Sequence, residues 1–234
     1  MPSVKNLAII PARGGSKRIP NKNIVDFFGK PLIVHTIEAA LKSKLFKRIF
    51  VSTDSQVIAD IAKDFGLDVP FLRDSHYNDN SSVHKATLSS TYKIENFYTE
   101  KYDNIVQLMP NCPLRNEIQI IKAFENFIVK DTCFQISVNK FGWMNPWWAM
   151  RINKQNKTMK LFPEAFMKRS QDLDELFCPT GAIWIAKIDE FKKARTFYGP
   201  NFKLFPIDWK FAIDIDEEAD LEMAKCIFTY LNKF

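Results

Sequence analysis

Short runs of strand-forming residues alternate with longer stretches of helical periodicity through the first half of this 234-residue chain, and that alternation leaves few folds open. It predicts an α/β protein with a mostly parallel sheet covered by helices. Leu7 to Pro11 reads as the first strand. Pro31 can open a helix in which Ile33, Ile37, Ala40 and Leu41 recur at helical spacing. Arg48 to Ser52 is the next strand, and Thr53 and Asp54 can cap a helix carrying Val57, Ile58, Ile61, Ala62 and Phe65, which Gly66 stops. Asp68 to Leu72, Asn104 to Met109 and Thr132 to Val138 read as further strands. Asn116 caps a helix expected to turn Ile118, Ile121, Phe124 and Ile128 inward.

The alternation disappears between Asn139 and Pro179, so a segment of roughly 139–180 is expected to be an insertion into a single domain that spans 1–234. Ala182 to Ala186 resumes the sheet, Phe211 to Ile215 reads as a strand running into acidic residues, and Glu217 to Asn232 makes a final helix with Leu221, Ala224, Ile227, Phe228 and Leu231 on its apolar side. Hydrophobic residues at 46% and charged residues at 26% exclude a disordered tail or a fibrous repeat. No apolar run approaches the roughly 20 residues that cross a bilayer, and the start MPSVKNLAII lacks a signal peptide's apolar stretch, so no membrane partner and a cytoplasmic location are expected. Cys112, Cys133, Cys178 and Cys226 are far apart with no CxxC pair, and there are three histidines, which argues against a zinc site or a disulfide framework.

Lysine and arginine exceed aspartate and glutamate by 33 to 27, a net charge of +6 that favours anionic partners. The basic residues are spread along the chain instead of forming the stripe of a nucleic-acid binder, with one cluster near the N-terminus. That cluster lies in IIPARGGSKRIPNKN, directly after the first strand, at the end of an open sheet where ligands bind. Gly14 and Gly15 let the backbone approach an anion, and Arg13, Lys17, Arg18 and Lys22 bring four cations into one loop. Such charges repel one another unless a polyanion such as a triphosphate joins them. A solvated basic loop is the competing reading, and the position after the first strand favours phosphate. Neither GxxxxGK[ST] nor GxGxxG is present. Asp214 and Asp216, with Ile215 between them, fall on one face of an extended segment and suit Mg²⁺ bridging phosphate oxygens. The alternative is an acidic first turn of the last helix, since Glu217, Glu218 and Asp220 follow.

In chain order, ARGGSKRIPNKN (12–23), VSTD (51–54), NCPLR (111–115), PTGAIWI (179–185) and AIDID (212–216) resemble the acylneuraminate cytidylyltransferases, the CMP-sialic acid synthetases and their bacterial relatives. The resemblance covers nearly the whole chain and points to the family more sharply than to the sugar. It implies a Rossmann-like, GT-A-like nucleotidyltransferase sheet with a dimerisation insertion, a homodimer, and an Mg²⁺-dependent reaction. In that reaction the anomeric hydroxyl of a sialic-acid-like 2-keto sugar acid, a nonulosonic acid, attacks the α-phosphate of CTP, giving a CMP-sugar and pyrophosphate. By motif match, Ala12, Arg13, Gly14, Ser16, Lys17 and Lys22 form the nucleotide cradle, with Asn23 a ribose or phosphate contact. Arg13, Lys22 and Asp216 act in catalysis, and Asp214 and Asp216 hold the metal. Asp216 can also accept the hydroxyl proton, a task a metal-bound hydroxide could share. Arg18 has no counterpart and could simply face solvent.

Arg73 matches an arginine that touches the cytosine. Ser82 would finish the base pocket or, equally, cap a helix before His84. The sugar pocket by the same match comprises Met109, Asn111, Trp148, Arg169, Trp184, Phe197 and Tyr198. Arg169 pairs with the sugar carboxylate, and Phe197 and Tyr198 come across a dimer interface; for Trp184 a plain core role stands beside the pocket role. Asn111 replaces a threonine of the family, Met109 a glutamine and Trp148 a lysine. The last two departures remove polar groups, which implies an acid sugar other than N-acetylneuraminate. Trp143, Trp147 and Trp148 could also form an apolar interface patch. His35 is read as a helix residue, His76 and His84 receive no role, and Cys112 is a packing residue. Rival readings are a cytidylyltransferase for the eight-carbon acid Kdo, whose N-terminal loop differs, and a non-catalytic nucleotide or nucleic-acid binding module, which would make no use of the aspartate pair.

Overall fold

The computed structural model describes residues 4–73, 82–142 and 144–233. Six strands form the central sheet: β1 (Asn6–Pro11), β2 (Arg48–Ser52), β3 (Asn104–Gln107), β4 (Phe134–Lys140), β7 (Phe177–Lys187) and β8 (Lys203–Pro206), in the order β2-β1-β3-β7-β4-β8. β1 runs parallel to β2 and β3, and β4 runs parallel to β8, whereas β7 is antiparallel to both its neighbours. All six residues of β1 are buried, because helices cover both faces of a parallel sheet and its central strands become continuous apolar runs. The helices are α1 (Leu32–Ser43), α2 (Gln56–Asp64), α3 (Val83–Tyr98), α4 (Glu117–Val129), α5 (Ile188–Ala194) and α6 (Glu218–Leu231).

Several local expectations change in the folded chain. Ser55, not Thr53 or Asp54, caps α2 by accepting the Ile58 N–H at 3.5 Å, which frees Asp54 for another contact. Residues 68–72 do not join the sheet; Pro70 has no N–H to give to a ladder. The helix α3 begins where Ser82 reads as a possible cap, but its extent carries no periodic signal, because Thr87, Ser90, Thr91 and Glu95 share its buried face and mask the apolar period. In α4 the inward face is Ile120, Ala123 and Phe127, while Ile118 and Ile128 are 49% and 51% exposed. The run is apolar at enough positions to draw two overlapping stripes, and packing against α1 selects one. Residues 212–216 follow a 3-10 turn (Trp209–Phe211) and pair with no strand, yet Ile213 and Ile215 are buried between outward Asp214 and Asp216.

Between β4 and β7 the chain leaves the sheet and forms a small antiparallel pair, β5 (Met150–Ile152) and β6 (Thr158–Lys160), with three 3-10 turns. Trp147 Nε1 donates to the Asp174 carbonyl at 2.9 Å and Trp148 Nε1 to the Ala165 carbonyl at 3.3 Å, so each indole ties the insertion to itself. Trp143 and His76 lie outside the described residues. Among the described residues, no helix is long and apolar enough to cross a membrane.

Candidate active site

The loop after β1 is built from behind. The Ala12 N–H donates to the Ser52 carbonyl at 2.9 Å, extending the β1–β2 ladder by one residue, and the side chain of Ile19 is buried as an anchor. Asn23, itself buried, donates from Nδ2 to the Arg13 carbonyl at 2.9 Å and closes the loop on its own start. A Cβ on Gly14 would stand 3.0 Å from the Ser55 Cβ, so any side chain at residue 14 would press on the cap of α2. The Gly14 N–H donates to Asp54 Oδ1 at 2.8 Å, and the Arg73 guanidinium stands 4.0 Å from that oxygen. Burial lowers the pKa of Arg73, Asp54 opposes the shift and Arg13 adds to it.

Opposite the loop stands the acidic tip at 214–216. The Ile215 N–H donates to the Asn111 carbonyl at 2.8 Å, which pins the tip to the segment leaving β3. Lys22 Nζ donates to the Ile215 carbonyl at 2.6 Å and to Asp216 Oδ1 at 3.0 Å, and Arg18 reaches Asp216 Oδ2 at 3.0 Å. Arg18 therefore does not merely face solvent: it and Lys22 share one carboxylate. Burial works against the charge of Asp216, but the hydrogen bond and charge of Lys22, reinforced by Arg18, outweigh it and hold the group below the usual carboxylate range. Asp214 behaves oppositely. Burial and the like charge of Asp216 push it up to about 6, with Lys22 and a hydrogen bond from Asn111 Nδ2 offsetting part of the rise.

A cleft of about 320 Å³ lies between loop and tip. It gathers Arg13, Ser16, Lys17, Lys22, Asn23, Arg73, Met109, Asn111 and Asp216 from the expected set, and adds Arg18, Val83 and Ala86. Ala12 is fully buried, and its N–H is taken by the Ser52 carbonyl. Ser82 is exposed at the N-cap position of α3, where its side chain makes no capping bond, and Val83 beside it lines the cleft instead.

The expected sugar residues divide. Met109 and Asn111 line the cleft. Trp184 donates from Nε1 to the Thr180 carbonyl at 2.7 Å and stacks on His84 with centroids 5.2 Å apart. Tyr198 packs edge-on to Trp184 at 5.7 Å and remains 41% exposed. Phe197 is fully buried against Phe191 at 4.4 Å, a core residue of this chain and not a wall open to a ligand, because α5 packs directly over it. Trp148 and Arg169 sit on the insertion outside this cleft, and Arg169 is held by its neighbour Asp172 at 2.7 and 3.1 Å. His84, given no role from the sequence, accepts the Phe197 N–H on Nδ1 at 3.4 Å, and burial lowers its pKa. Cys112 is wholly buried and burial pushes its thiol far up, leaving it a neutral packing group.

The donor set suits a hard divalent cation. Two carboxylates stand at the tip, and the buried Oδ1 of Asn111 has no hydrogen-bond donor. Among the described residues no three His, Cys, Asp or Glu side chains cluster as metal ligands, so an ion here would complete its shell with substrate oxygens and water, the preference of Mg²⁺.

The sequence profile of a cytidylyltransferase family matches residues 7–128. The chain is 34% identical to the pseudaminic acid cytidylyltransferase of Campylobacter jejuni over 96% of its own length and 97% of that protein. It is 36% identical to the CMP-N,N'-diacetyllegionaminic acid synthase of Legionella pneumophila, with 92% of each chain covered. To the N-acylneuraminate cytidylyltransferase of Escherichia coli it is 31% identical, covering 94% of this chain and 51% of that one. Among solved structures, a CMP-2-keto-3-deoxy-manno-octonic acid synthetase complexed with CTP shares the fold, with a TM-score of 0.73, 18% identity, and 97% and 99% of the two chains covered.

Proposed function

This chain belongs to the cytidylyltransferase family and is a CMP-sugar synthetase that activates a sialic-acid-like sugar acid with CTP, and from that premise we propose its acceptor, its metal and its assembly. The acceptor is a nonulosonic acid of the pseudaminic or diacetyllegionaminic kind, not N-acetylneuraminate. The relatives named for those two acids are matched over 97% and 92% of their own length, against 51% for the N-acylneuraminate enzyme, and Met109 gives the cleft an apolar wall. The observation that carries the reaction is the contact of Lys22 with Asp216, which joins the phosphate loop to the acidic tip across one cleft.

Arg13, Lys17 and Lys22 hold the triphosphate and neutralise the charge that builds on departing pyrophosphate. Arg73 and the start of α3 take the base. As the acceptor's anomeric oxygen bonds to the α-phosphorus, the bond from that phosphorus to the bridging oxygen breaks, and Asp216 takes the hydroxyl proton. Mg²⁺ held by Asp214 and Asp216 would supply further charge neutralisation at the phosphate oxygens. The working unit is a homodimer joined through the insertion, where Met150, Ile152, Met159 and Leu161 are exposed. Trp148, Arg169 and Tyr198 then serve the partner's acceptor pocket. Cysteines present as thiols fit a cytoplasmic enzyme.

Purified protein incubated with each nucleoside triphosphate, Mg²⁺ and a panel of keto sugar acids tests this through pyrophosphate release. Release with CTP and pseudaminic or diacetyllegionaminic acid, exceeding that with N-acetylneuraminate or Kdo, is the expected result. Preference for UTP, or for Kdo, would overturn it.

A further inference from the structure

Among the described residues, Arg115 is the largest fully buried side chain, 1% exposed, and no carboxylate pairs with it. Its Nε and Nη2 have no protein acceptor. A guanidinium stripped of water without a counter-charge is costly, and an apolar side chain of similar volume would fill the same space more cheaply. What an apolar residue could not do is grip backbone. Arg115 Nη1 donates to the Ala182 carbonyl at 2.9 Å and to the Met109 carbonyl at 3.3 Å, joining β7 to the segment that leaves β3.

Those two segments touch where the site is tightest. The Met109 N–H donates to the Gly181 carbonyl at 3.2 Å, and the Cys112 N–H shares the Met109 carbonyl at 3.3 Å. A Cβ on Gly181 would lie 2.9 Å from the Met109 Cγ and 3.5 Å from Asp214 Oδ2, so the methionine and the aspartate rest directly on bare backbone. Asn111, two residues on, donates to Asp214. A small shift of either carbonyl would therefore move the apolar wall and one of the two carboxylates together.

We propose that Arg115 is a positioning residue: by holding the Met109 and Ala182 carbonyls it keeps the 109–111 segment seated on Gly181, and so sets the shape of the acceptor side of the cleft. This rests on the reading that Met109 faces the sugar acid. The phosphate loop and Arg73 are held mainly by other contacts, and the nucleotide side meets this segment only through the Ile215 N–H on the Asn111 carbonyl and the Asn111–Asp214 bond, so it depends on Arg115 less than the acceptor side does.

The test compares the wild-type full-length chain with Arg115→Met and Arg115→Lys for KM toward the sugar acid, KM toward CTP, thermal midpoint, and amide hydrogen exchange. In Arg115→Met the acceptor KM should rise about tenfold, the cost of a small misplacement, with the CTP KM rising far less and the midpoint unchanged. Exchange should quicken at Met109 and Cys112 but not in β2. Arg115→Lys, which keeps the charge on a shorter side chain without the fixed plane of the guanidinium, should show the same split at smaller amplitude, and decides the matter if Arg115→Met does not fold. An equal rise in both KM values with a lowered midpoint would mark a merely structural arginine, and unchanged exchange would overturn the proposal. If the wild type turns over no sugar acid, the functional reading fails, and the exchange comparison still decides the role of Arg115.

Discussion

Two aspartates one residue apart are driven in opposite directions, and the consequences separate cleanly. Asp216, held down by Lys22 and Arg18, contributes stability above its unfolded-chain value, near 3.9, that is lost as the pH falls through its depressed folded value. Asp216→Asn should therefore destabilise the fold at neutral pH by no more than about 1 kcal/mol because the pair is partly solvated, read as a lowered thermal midpoint, and abolish turnover while CTP still binds. Asp214 is raised to about 6, so its contribution is complete below about pH 3.9 and is lost as the pH rises through about 6. Metal-free Asp214→Asn should melt above the wild type well above pH 6, with the difference closing in acid; a lower midpoint at every pH would contradict the crowding inferred at this carboxylate. Met109→Gln should raise turnover of N-acetylneuraminate if the apolar wall selects against it, measured as relative kcat/KM over two acceptors. At this scale the charge of the loop pointed to Arg13 and Lys22 and the spacing to the aspartate pair, the cleft gathers Arg13, Lys22 and Asp216, and their roles came from the resemblance. The roles of Arg18 and Phe197 were not legible, because the carboxylate that Arg18 meets lies near the other end of the chain, and nothing local to Phe197 tells that α5 covers it.

The same contrast holds for whole segments. Strands β1 and β2 were legible because their apolar runs are bounded by turn residues, and the cap of α4 because Asn116 accepts both the Ile118 and Gln119 N–H groups. The polar buried face of α3 and the choice of stripe on α4 carry no local signal, since each depends on which neighbour the helix meets. The phosphate loop supplies an element-level test. Gly14 presses on Ser55 at the cap of α2, whereas an added Cβ on Gly15 meets nothing within 4 Å. Gly14→Ala should thus weaken CTP binding by about 1–3 kcal/mol and Gly15→Ala far less, by isothermal titration. Equal losses would mean that both glycines serve the ligand's approach and not the seat against α2.

For the molecule as a whole, the proposal to test is that the insertion serves a second copy of the chain. Trp148 and Arg169 stand outside the cleft of their own chain, and exposed Met150 and Ile152 offer apolar surface for a second copy. Sedimentation equilibrium should find a dimer, and Ile152→Lys with Met150→Lys should give monomers that bind CTP and turn over no acceptor; monomeric variants with full activity would exclude a shared site. Taken alone, the sequence determined the alternating α/β plan, the cationic loop after the first strand and the paired aspartates, because each is written in a local period or a short run of charge. Only the tertiary structure decided that Lys22 and Arg18 close on Asp216, that Asp54 backs the glycine loop, that β7 runs against its neighbours, and that Arg115 is buried without a counter-charge among the described residues. These depend on contacts between residues distant in the chain, whose energies exist only once packing has excluded water from between them.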